Sequence, residues 1–533
     1  MKDIEDIVGE ANFIGAEDAR KLYPCPSQVN NKIKGVIRPA SAEEIQKIVS
    51  LSIKHNMFLY PISTGKNWGY GGGVPLKHDS YILDLSHMNN ILGFDEELGI
   101  VTIEPGVTQN QLFKFIEKKN YNYFVPVTGS SPDCSLIGNA LERGYGVTPY
   151  TDHFQGITST KAILADGSIY SGLLSEAGHP KNDSLQKWGA GPYIEGLFSQ
   201  GNFGIVTQAT ISLSPKTKKR IALFFEPLDE KSLKNIISIS NKIMNKYQGN
   251  VASVKFFNQA FNVSMNSSYP IEQINDNSLT LDDWINNEAG KLKIPDWIGS
   301  IFIFGTPSIA KAIRKEIKAE IKPFCKMFLS FDELNTKALC LILKAVPNIK
   351  QGKSLITKAE NICALIDFQS GKPSERFLRT AYWRTGGWNK YQSPYDPGKQ
   401  ECGLIWFAPM LPFKASDIIK AEKLAKEILS SYGFAPLVSM ATISNNAISC
   451  LLPIMFDPKT EVEAAHRCHE ELFKEFKLHG YLPYRAHVNS MNWYTEDAPS
   501  TDYFNTVDKL KNKTDENRIL SPGRYDNRSQ TNK

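Results

Sequence analysis

Apolar residues near the start of the chain recur at helical spacing and then form a continuous run. Ser41 and Glu44 make a capping box ahead of the recurring positions. These apolar positions are Ile45, Ile48, Val49 and Ile53. The pattern predicts a helix that ends at Asn56, followed by a strand over Phe58–Ile62.

Short helices and strands continue to alternate over the first 215 residues. Strands are predicted over Tyr81–Leu85 and Gly99–Glu104, and a helix begins at Thr108. Ala162–Tyr170 resembles a hairpin that turns at Asp166-Gly167, since this dipeptide favours the tight turns between antiparallel strands. This part of the chain is therefore mixed α and β.

The pattern changes after a polar segment, Ser214–Lys219, which resembles a domain boundary. Longer helical periods follow over Ser416–Tyr432 and Glu461–Leu478, and Gly480 ends the second of them. The length of 533 residues exceeds what one hydrophobic core usually serves, so we expect two domains or more.

Composition and charge narrow the class of protein. Hydrophobic residues make up 41% and charged residues 22%, and the net charge of +5 is too small to indicate a nucleic-acid partner. No apolar run is long enough to span a membrane, and the acidic N-terminus lacks the apolar core of a secretory signal. The eight cysteines are scattered, which is typical of a reducing compartment, so we expect a cytoplasmic protein.

The most unusual local feature is the glycine-rich stretch Pro61–Gly73. Five of the nine residues 65–73 are glycine, and successive glycine amides can form a nest for a phosphate or pyrophosphate. Strands are predicted on both sides, whereas a Walker or Rossmann loop must open a helix. A plain glycine-rich hairpin remains the alternative.

Two further glycine-containing segments follow this loop. One runs over Gly129–Asn139 and continues through Arg143–His153, and the other is Ser199–Thr207. Each taken alone could be a structural turn. Three such segments next to short apolar strands favour a binding site for one long ligand with many polar atoms. A dinucleotide is a ligand of this kind.

Five segments, taken together, resemble the FAD-linked oxidoreductases of the vanillyl-alcohol oxidase / p-cresol methylhydroxylase (PCMH-type) family. They occur in the family's order between about residues 30 and 525, and five motifs in register are far more specific than one. The segments are Ser63–Gly72, Gly138–Gly144 with Thr148–His153, Gly191–Thr207, Pro483–His487 and Leu520–Arg524.

The resemblance implies an α+β fold with a two-subdomain, PCMH-type FAD-binding domain. That domain would comprise residues 1–215 and be completed by 484–533, while an α+β cap, or substrate, domain over 216–483 would cover the isoalloxazine ring. The first loop would hold the pyrophosphate through its amides. The residues that the resemblance places at FAD are Ser63, Thr64, Gly65, Lys66, Asn67, Gly69, Gly129, Ser130, Gly138, Asn139, Gly144, Gly146, Gly204, Ile205, Val206 and Arg524.

The resemblance also implies two tyrosines and an arginine around a substrate hydroxyl, at Tyr70, Tyr484 and Arg485. Phenolic O–H donors and a guanidinium favour a bound phenolate, whose oxygen pushes electrons toward the benzylic carbon. The implied reaction is oxidation of a 4-alkylphenol or related aromatic alcohol by hydride transfer from that carbon to flavin N5. Each tyrosine alone would be interpreted as a core residue with a satisfied hydroxyl.

One departure from the family pattern concerns a carboxylate. Oxidase members place one near the reactive flavin nitrogen, whereas Ser130 aligns with that position here and Asp133 is only close to it. A serine cannot act as a base in that role, which favours the cresol-dehydrogenase side of the family.

A second departure concerns covalent attachment of the flavin. Some family members attach FAD through a histidine or a tyrosine, and no histidine lies between His179 and His466 here. An attachment would therefore use a tyrosine among Tyr382, Tyr391 and Tyr395, although each alone is better interpreted as an ordinary core or surface tyrosine.

Other functions and ligands stay open at this point. The same fold could oxidise a non-phenolic alcohol or a hydroxy acid, with Tyr70 and Arg485 binding a carboxylate. It could also be an electron-transfer flavoprotein subunit in a complex with a cytochrome. The electron acceptor would be cytochrome c or O2, and we expect a homo-oligomer.

Histidines in two parts of the chain are assigned structural roles. His466, Cys468 and His469 lie on one predicted helix without further ligands, so we interpret them as an ordinary helix face and expect no metal. His153 could lie near the flavin, but a structural hydrogen bond is the favoured role.

Overall fold

The structure, a computed structural model, describes residues 2–276, 279–336, 338, 352–495 and 502–525. It divides into two compact units. Unit 1 contains Met1–Gly146, Asp152–Ser214 and Arg485–Lys533, and unit 2 contains Val147–Thr151 and Pro215–Tyr484. The segment Val147–Thr151 thus groups with unit 2 rather than with the residues around it in sequence. The cofactor and cap roles of the two units remain a prediction.

Helices and strands follow one another along the described chain. The strands are β1 Phe13–Gly15, β2 Ile33–Ile37, β3 Phe58–Ile62, β4 Ser80–Asp84, β5 Ile91–Asp95, β6 Ile100–Ile103, β7 Ile157–Ile163, β8 Ile169–Tyr170, β9 Ile205–Ser212, β10 Lys219–Pro227, β11 Val251–Asn258, β12 Trp297–Gly305, β13 Cys325–Asp332, β14 Gly403–Phe407, β15 Met410–Pro412, β16 Ser439–Thr442 and β17 Ala447–Phe456. The α-helices are α1 Lys2–Val8, α2 Ala16–Leu22, α3 Ala42–His55, α4 Gln109–Lys119, α5 Leu136–Leu141, α6 Leu173–Glu176, α7 Pro180–Asp183, α8 Glu230–Lys246, α9 Gln259–Asn266, α10 Ile271–Asn275, α11 Leu281–Leu292, α12 Pro307–Ile321, α13 Gly352–Gln369, α14 Ala415–Ser431, α15 Val462–Leu478 and α16 Asp502–Thr514.

Unit 1 contains two sheets. The first has the strand order β1-β2-β4-β3, in which β4 is parallel to both β2 and β3. Helix α3 connects β2 to β3, as parallel strands require a crossover. The second sheet is antiparallel, in the order β5-β6-β9-β7-β8.

The helix caps predicted from the sequence are confirmed. Ser41 Oγ accepts the N–H of Glu44 at 3.3 Å, and α3 ends at Asn56 with a left-handed φ of 50°. Thr108 Oγ1 accepts the N–H of Gln111 at 3.1 Å at the start of α4. Such caps satisfy amide groups that a helix terminus leaves without intrahelical partners.

The C-terminal tail, which is the part of unit 1 that follows Tyr484, adds to the edge of β3. The N–H of Leu59 donates to the carbonyl of Ile519 at 2.8 Å, and the N–H of Ser521 donates to the carbonyl of Leu59 at 2.8 Å. Ile519 and Leu520 lie in one apolar cluster with Leu59 and with residues of α3. The tail therefore supports the strand that leads directly into the glycine-rich loop.

Unit 2 is built on one antiparallel sheet in the order β13-β10-β12-β11-β16-β17-β14, with β15 paired to β17. Helices α8, α12, α14 and α15 pack against this sheet. The two long helices predicted in this region are confirmed as α14 and α15, and Gly480 follows the second with φ 75°. His469 and Cys468 of α15 are fully buried, and burial lowers the pKa of His469 to about 3.

The structure also bears on metal binding, membrane crossing and cysteine pairing. Among the residues described, no cluster of three or more His, Cys, Asp and Glu side chains is placed to hold a metal ion. None of the helices in the described ranges is both long and apolar enough to cross a membrane. Cys363 is disulfide-bonded, which the scattered spacing of the cysteines did not predict.

Candidate FAD site and active site

The glycine-rich loop leaves β3 and passes through a 3-10 turn over Trp68–Tyr70 that includes Gly69. Gly65 and Gly71 have φ values of 67° and 110°, which a residue with a side chain would adopt only under strain. The N–H groups of Tyr70 and Gly72 donate to the carbonyl of Asn67 at 3.1 and 2.8 Å. These bonds close the loop on itself at its end.

The first half of the loop contains backbone amides that are available to a ligand. Within the described part of the chain, the N–H groups of Thr64, Gly65 and Asn67 donate to no protein acceptor. The side chain of Thr64 accepts the N–H of Ser135 at 3.2 Å, and Lys66 Nζ lies 5.2 Å from the centre of the Trp68 ring. A run of unpaired amides beside a lysine suits an anionic group.

Glycines allow the second segment to approach the first. A Cβ on Gly138 would lie 2.9 Å from Ser63 Oγ, and one on Gly144 would lie 2.1 Å from Asn139 Oδ1. Both distances are shorter than van der Waals contact. Gly138 and Asn139 lie in the short helix α5, so Gly138 lets α5 lie against the loop and Gly144 lets the following turn lie against α5.

His153 lies next to this turn and is buried. Its Nδ1 is hydrogen-bonded to the side-chain amide of Asn139, and a Cβ on Gly146 would lie 2.5 Å from its Nε2. With Asn139 as the donor, Nε2 carries the ring proton, and it has no partner among the residues described. Burial lowers the pKa of His153 to about 4, so the ring is neutral at pH 7. Its unpaired N–H fits an acceptor atom of a bound group.

Replacing Gly146 with alanine should impair cofactor retention. The added methyl would collide with His153 and with the Val127 carbonyl, 2.8 Å away, at a cost of roughly 1–3 kcal/mol. We expect about a tenfold loss of flavin affinity, measured from the flavin-to-protein ratio after dilution. Gly189→Ala is the matched control, because nothing lies within 4 Å of its added Cβ. Equal flavin retention in the two variants would contradict the placement of Gly146.

The remaining predicted cofactor residues lie in two places. Gly204, Ile205 and Val206 lead into β9, and a Cβ on Gly204 would lie 2.8 Å from Phe198 Cε1. Gly129 and Ser130 precede α5, and Ser130 is buried, whereas Asp133 is exposed.

A cluster of charged side chains forms where the tail meets the loop. The guanidinium carbon of Arg485 lies 4.4 Å from the centre of the Tyr70 ring, and its Nη2 donates to Asn67 Oδ1 at 2.5 Å. Glu142 lies between two arginines: its Oε2 is 3.5 Å from Arg485 Nε, and its Oε1 accepts from Arg524 Nη2. The structure therefore brings together Tyr70, Arg485 and Arg524, which the sequence analysis singled out.

Glu142 is the member of this cluster that the sequence analysis did not identify. Burial alone would raise the pKa of its carboxyl, but Arg524 and Arg485 outweigh that effect and hold the pKa below its usual range. Arg524 also lies 3.5 Å from the hydroxyl of Tyr60, whose own pKa is raised by burial. Because two guanidiniums share one carboxylate, the cluster keeps one positive charge.

Tyr484 and the tyrosines considered for flavin attachment belong to unit 2. Tyr484 is the last residue of that unit. Tyr382 is fully buried, its hydroxyl donates to Gln400 Oε1, and its ring centre lies 5.0 and 5.4 Å from those of Tyr391 and Tyr395. Burial raises the pKa of Tyr382. The roles of these tyrosines remain predictions.

The glycine-rich loop and its neighbours define the class of protein as one that binds a dinucleotide cofactor. A family model described as an FAD binding domain matches residues 33–172. The 1'-carboxy-chondrochloren decarboxylase of Chondromyces crocatus is 30% identical over 98% of this chain and 96% of its own length. The 4-cresol dehydrogenase [hydroxylating] flavoprotein subunit of Pseudomonas putida is 27% identical over 92% of this chain and 87% of its own. A crystal structure of p-cresol methylhydroxylase with substrate bound has a TM-score of 0.81 at 22% identity, over 98% of this chain and 95% of that one.

The chain belongs to the PCMH-type family of FAD-dependent oxidoreductases. The α+β fold and the FAD cofactor predicted from the sequence are confirmed. The site fits this cofactor, because the unpaired amides of the loop suit a pyrophosphate and the buried N–H of His153 suits an acceptor.

Proposed function

We propose that this enzyme oxidises a 4-alkylphenol or a related aromatic alcohol at its benzylic carbon. In this proposal Tyr70, Tyr484 and Arg485 hold the substrate as its phenolate. The observation that carries the proposal is the charge of the cluster around Glu142. Two guanidiniums share one carboxylate there, so one positive charge remains to be balanced by a bound anion.

The position of Arg485 supports a phenolate in particular. Its guanidinium lies over the Tyr70 ring, and the contacts with Asn67 and Glu142 fix its orientation. A guanidinium with a fixed orientation favours an oxygen anion over the neutral phenol by charge-assisted hydrogen bonding. The phenolate oxygen in turn pushes electrons toward the benzylic carbon and weakens its C–H bond toward hydride loss.

FAD, when bound, accepts the hydride. The contribution of the chain is to favour ionisation of the substrate, to orient its ring and to keep the anion paired while charge moves. Neutral donors at Tyr70 and Tyr484 would share the oxygen with Arg485, each contributing less than the cation does.

The proposal is tested by comparing 4-ethylphenol with its methyl ether, 4-ethylanisole. The ether cannot ionise, and it leaves donors of the site unpaired at roughly 1–3 kcal/mol each. We expect 4-ethylphenol to reduce the flavin under anaerobic conditions and the ether to leave it oxidised, as followed by stopped-flow absorbance. Equal reduction by both compounds would replace the phenolate proposal with oxidation of a non-phenolic alcohol or a hydroxy acid.

The electron acceptor is proposed to be a cytochrome rather than O2. Ser130 has no carboxyl group and the carboxylate of Asp133 is exposed, which argues against the base that the family resemblance implies for oxidase members. The relative from Pseudomonas putida is named as a flavoprotein subunit, which also favours a partner. Turnover with cytochrome c or a dye that far exceeds oxygen uptake supports this acceptor, and rapid oxygen uptake contradicts it.

A second candidate function is loss of CO2 from a carboxylated phenol. It is favoured by the relative from Chondromyces crocatus, which is named a decarboxylase and matches this chain over almost its full length. The candidate is tested by measuring CO2 release from carboxylated 4-alkylphenols. If 4-ethylphenol is oxidised and none of these acids releases CO2, the second candidate is rejected and only the first proposal stands.

A further inference from the structure

Lys255 lies in β11, a central strand of the unit 2 sheet. Its neighbours Val254 and Phe256 point to the opposite face and are fully buried, whereas Lys255 and Phe257 are partly exposed. Lys255 Nζ is 6.0 Å from the centre of the Phe368 ring. The ammonium is therefore held against apolar surface on one face of a rigid sheet.

Lys255 has no counter-ion within the described part of the chain. No carboxylate or other acceptor among the described residues forms an ion pair or a hydrogen bond with its Nζ. Burial lowers the pKa of the ammonium to about 8, so the group is still mainly a cation at pH 7. The side chain as a whole is partly exposed, but its ammonium lies against apolar surface, where an unpaired cation is costly. The position is therefore better explained by a charged ligand than by packing.

Ser300 lies directly opposite Lys255 on the neighbouring strand β12. Residues opposite each other in antiparallel strands point to the same face, with Cβ atoms about 5 Å apart. Ser300 is fully buried, and its hydroxyl has no hydrogen-bond partner in the described structure. Buried hydroxyls are nearly always paired, so this orphan also indicates a missing acceptor.

The strands on the other side of Lys255 carry small side chains on this face. Ala441 of β16 lies directly opposite Lys255, and Ser449 of β17 lies opposite Ala441. Both side chains are small. An ammonium, a hydroxyl and two small side chains thus occur together on one face of the sheet.

We propose that Lys255 and Ser300 form a binding site for an organic carboxylate. The ammonium pairs with the carboxylate, and the hydroxyl donates to one of its oxygens. One negative charge balances one ammonium, whereas a phosphate dianion would leave a charge unpaired. This site goes beyond the proposed oxidation of a phenol, which needs no carboxylate, whereas the second candidate function, loss of CO2 from a carboxylated phenol, would need one.

The test uses full-length protein loaded with FAD and two ligands of one shape that carry no phenol, 3-phenylpropionate and its primary amide. Lys255→Met removes the charge and keeps the length, and Ser300→Ala removes the hydroxyl. By calorimetric titration we expect Lys255→Met to weaken carboxylate binding about tenfold or more and amide binding less than about twofold. Ser300→Ala should weaken carboxylate binding about threefold, and Lys255→Arg should stay within about threefold of wild type.

Thermal unfolding gives an independent readout. Lys255→Met should raise the Tm by about 2 °C or more, because it removes a cation that lacks a partner. A lysine that only supports the fold would give the opposite shift. Equal flavin content and far-UV circular dichroism establish that the variant folds.

Competition experiments separate two sources of the carboxylate. Benzoate binding that needs Lys255 and competes with 4-ethylphenol assigns the carboxylate to the oxidised substrate. Binding that needs Lys255 but does not compete assigns it to a separate ligand. No carboxylate binding to wild type, or equal Kd values in wild type and Lys255→Met, would overturn the site. Failure of phenol oxidation is distinguishable, because it is measured with 4-ethylphenol, which has no carboxylate.

Discussion

Replacing Arg485 with alanine is expected to slow flavin reduction by a 4-alkylphenol about a hundredfold, which corresponds to roughly 2.7 kcal/mol of activation free energy. The guanidinium lies over the Tyr70 ring and shares Glu142 with Arg524. Without it the cluster is neutral, since one cation and one anion remain, and the phenolate loses its strongest partner. Stopped-flow reduction under anaerobic conditions measures the effect, and flavin affinity should change much less.

Three further variants test why flavin reduction should be slow in Arg485→Ala. Arg485→Lys keeps the charge without the planar fork and should recover part of the rate. Tyr70→Phe and Tyr484→Phe should each slow reduction less than Arg485→Ala, because a neutral donor contributes less than a cation to holding an anion. A reduction rate in Arg485→Ala equal to that of wild type would place Arg485 outside the active site.

Features that depend on a few neighbouring residues could be predicted from the sequence. The caps at Ser41 and Thr108, the strand β3 and the hairpin at Gly167 all occur as predicted. Each is decided by bonds between residues a few positions apart, so the local pattern contains the information. The glycine-rich loop belongs to this class, because the strands on both sides already excluded a helix-opening loop.

Features that depend on distant residues could not be predicted in the same way. Nothing around Glu142 in the sequence indicates that it meets Arg485 and Arg524, which come from the tail. The sheet order β5-β6-β9-β7-β8 likewise places β9 between β6 and β7. Periodicity shows which face of a strand is apolar, but not which strand lies beside it. The one signal for Glu142 in the sequence is that a carboxylate occurs within the glycine-containing segment Gly138–Gly144. That signal points to a functional role only once the two arginines are known to lie beside it.

The same reasoning applies to Lys255 and Lys511, two lysines that the sequence analysis did not single out. Both lie in ordinary amphipathic elements, and a lysine in such a pattern is normally interpreted as solvated. Lys255 lacks a described partner, whereas Lys511 is fully buried and paired with Asp515 at 2.6 Å. The presence or absence of a partner decides the role of each lysine. An unpaired cation against apolar surface is costly, whereas a buried cation with all its hydrogen bonds made can hold segments together.

Replacing Lys511 with methionine is expected to destabilise unit 1 by about 3–5 kcal/mol. The ammonium donates to Asp515 Oδ2, and also to the carbonyls of Asn202 at 2.5 Å and Leu520 at 3.2 Å. Asp515 in turn accepts the N–H groups of Ile519 and Leu520 at 2.9 and 3.0 Å. Without Lys511, the carboxylate is buried without a counter-charge and two carbonyls lose a donor.

The effect should reach the cofactor loop, because Leu520 belongs to the tail that pairs with Leu59 of β3. We therefore expect Lys511→Met to lower the urea midpoint of the transition reported by flavin fluorescence and to release flavin at a lower temperature than wild type. Lys509→Met is the matched control, since Lys509 lies in the same helix, α16, and is exposed. It should change the free energy of unfolding by less than about 0.5 kcal/mol. If Lys511→Met unfolds at the same urea concentration as Lys509→Met, the buried pair does not hold the tail, and β3 needs no support from it.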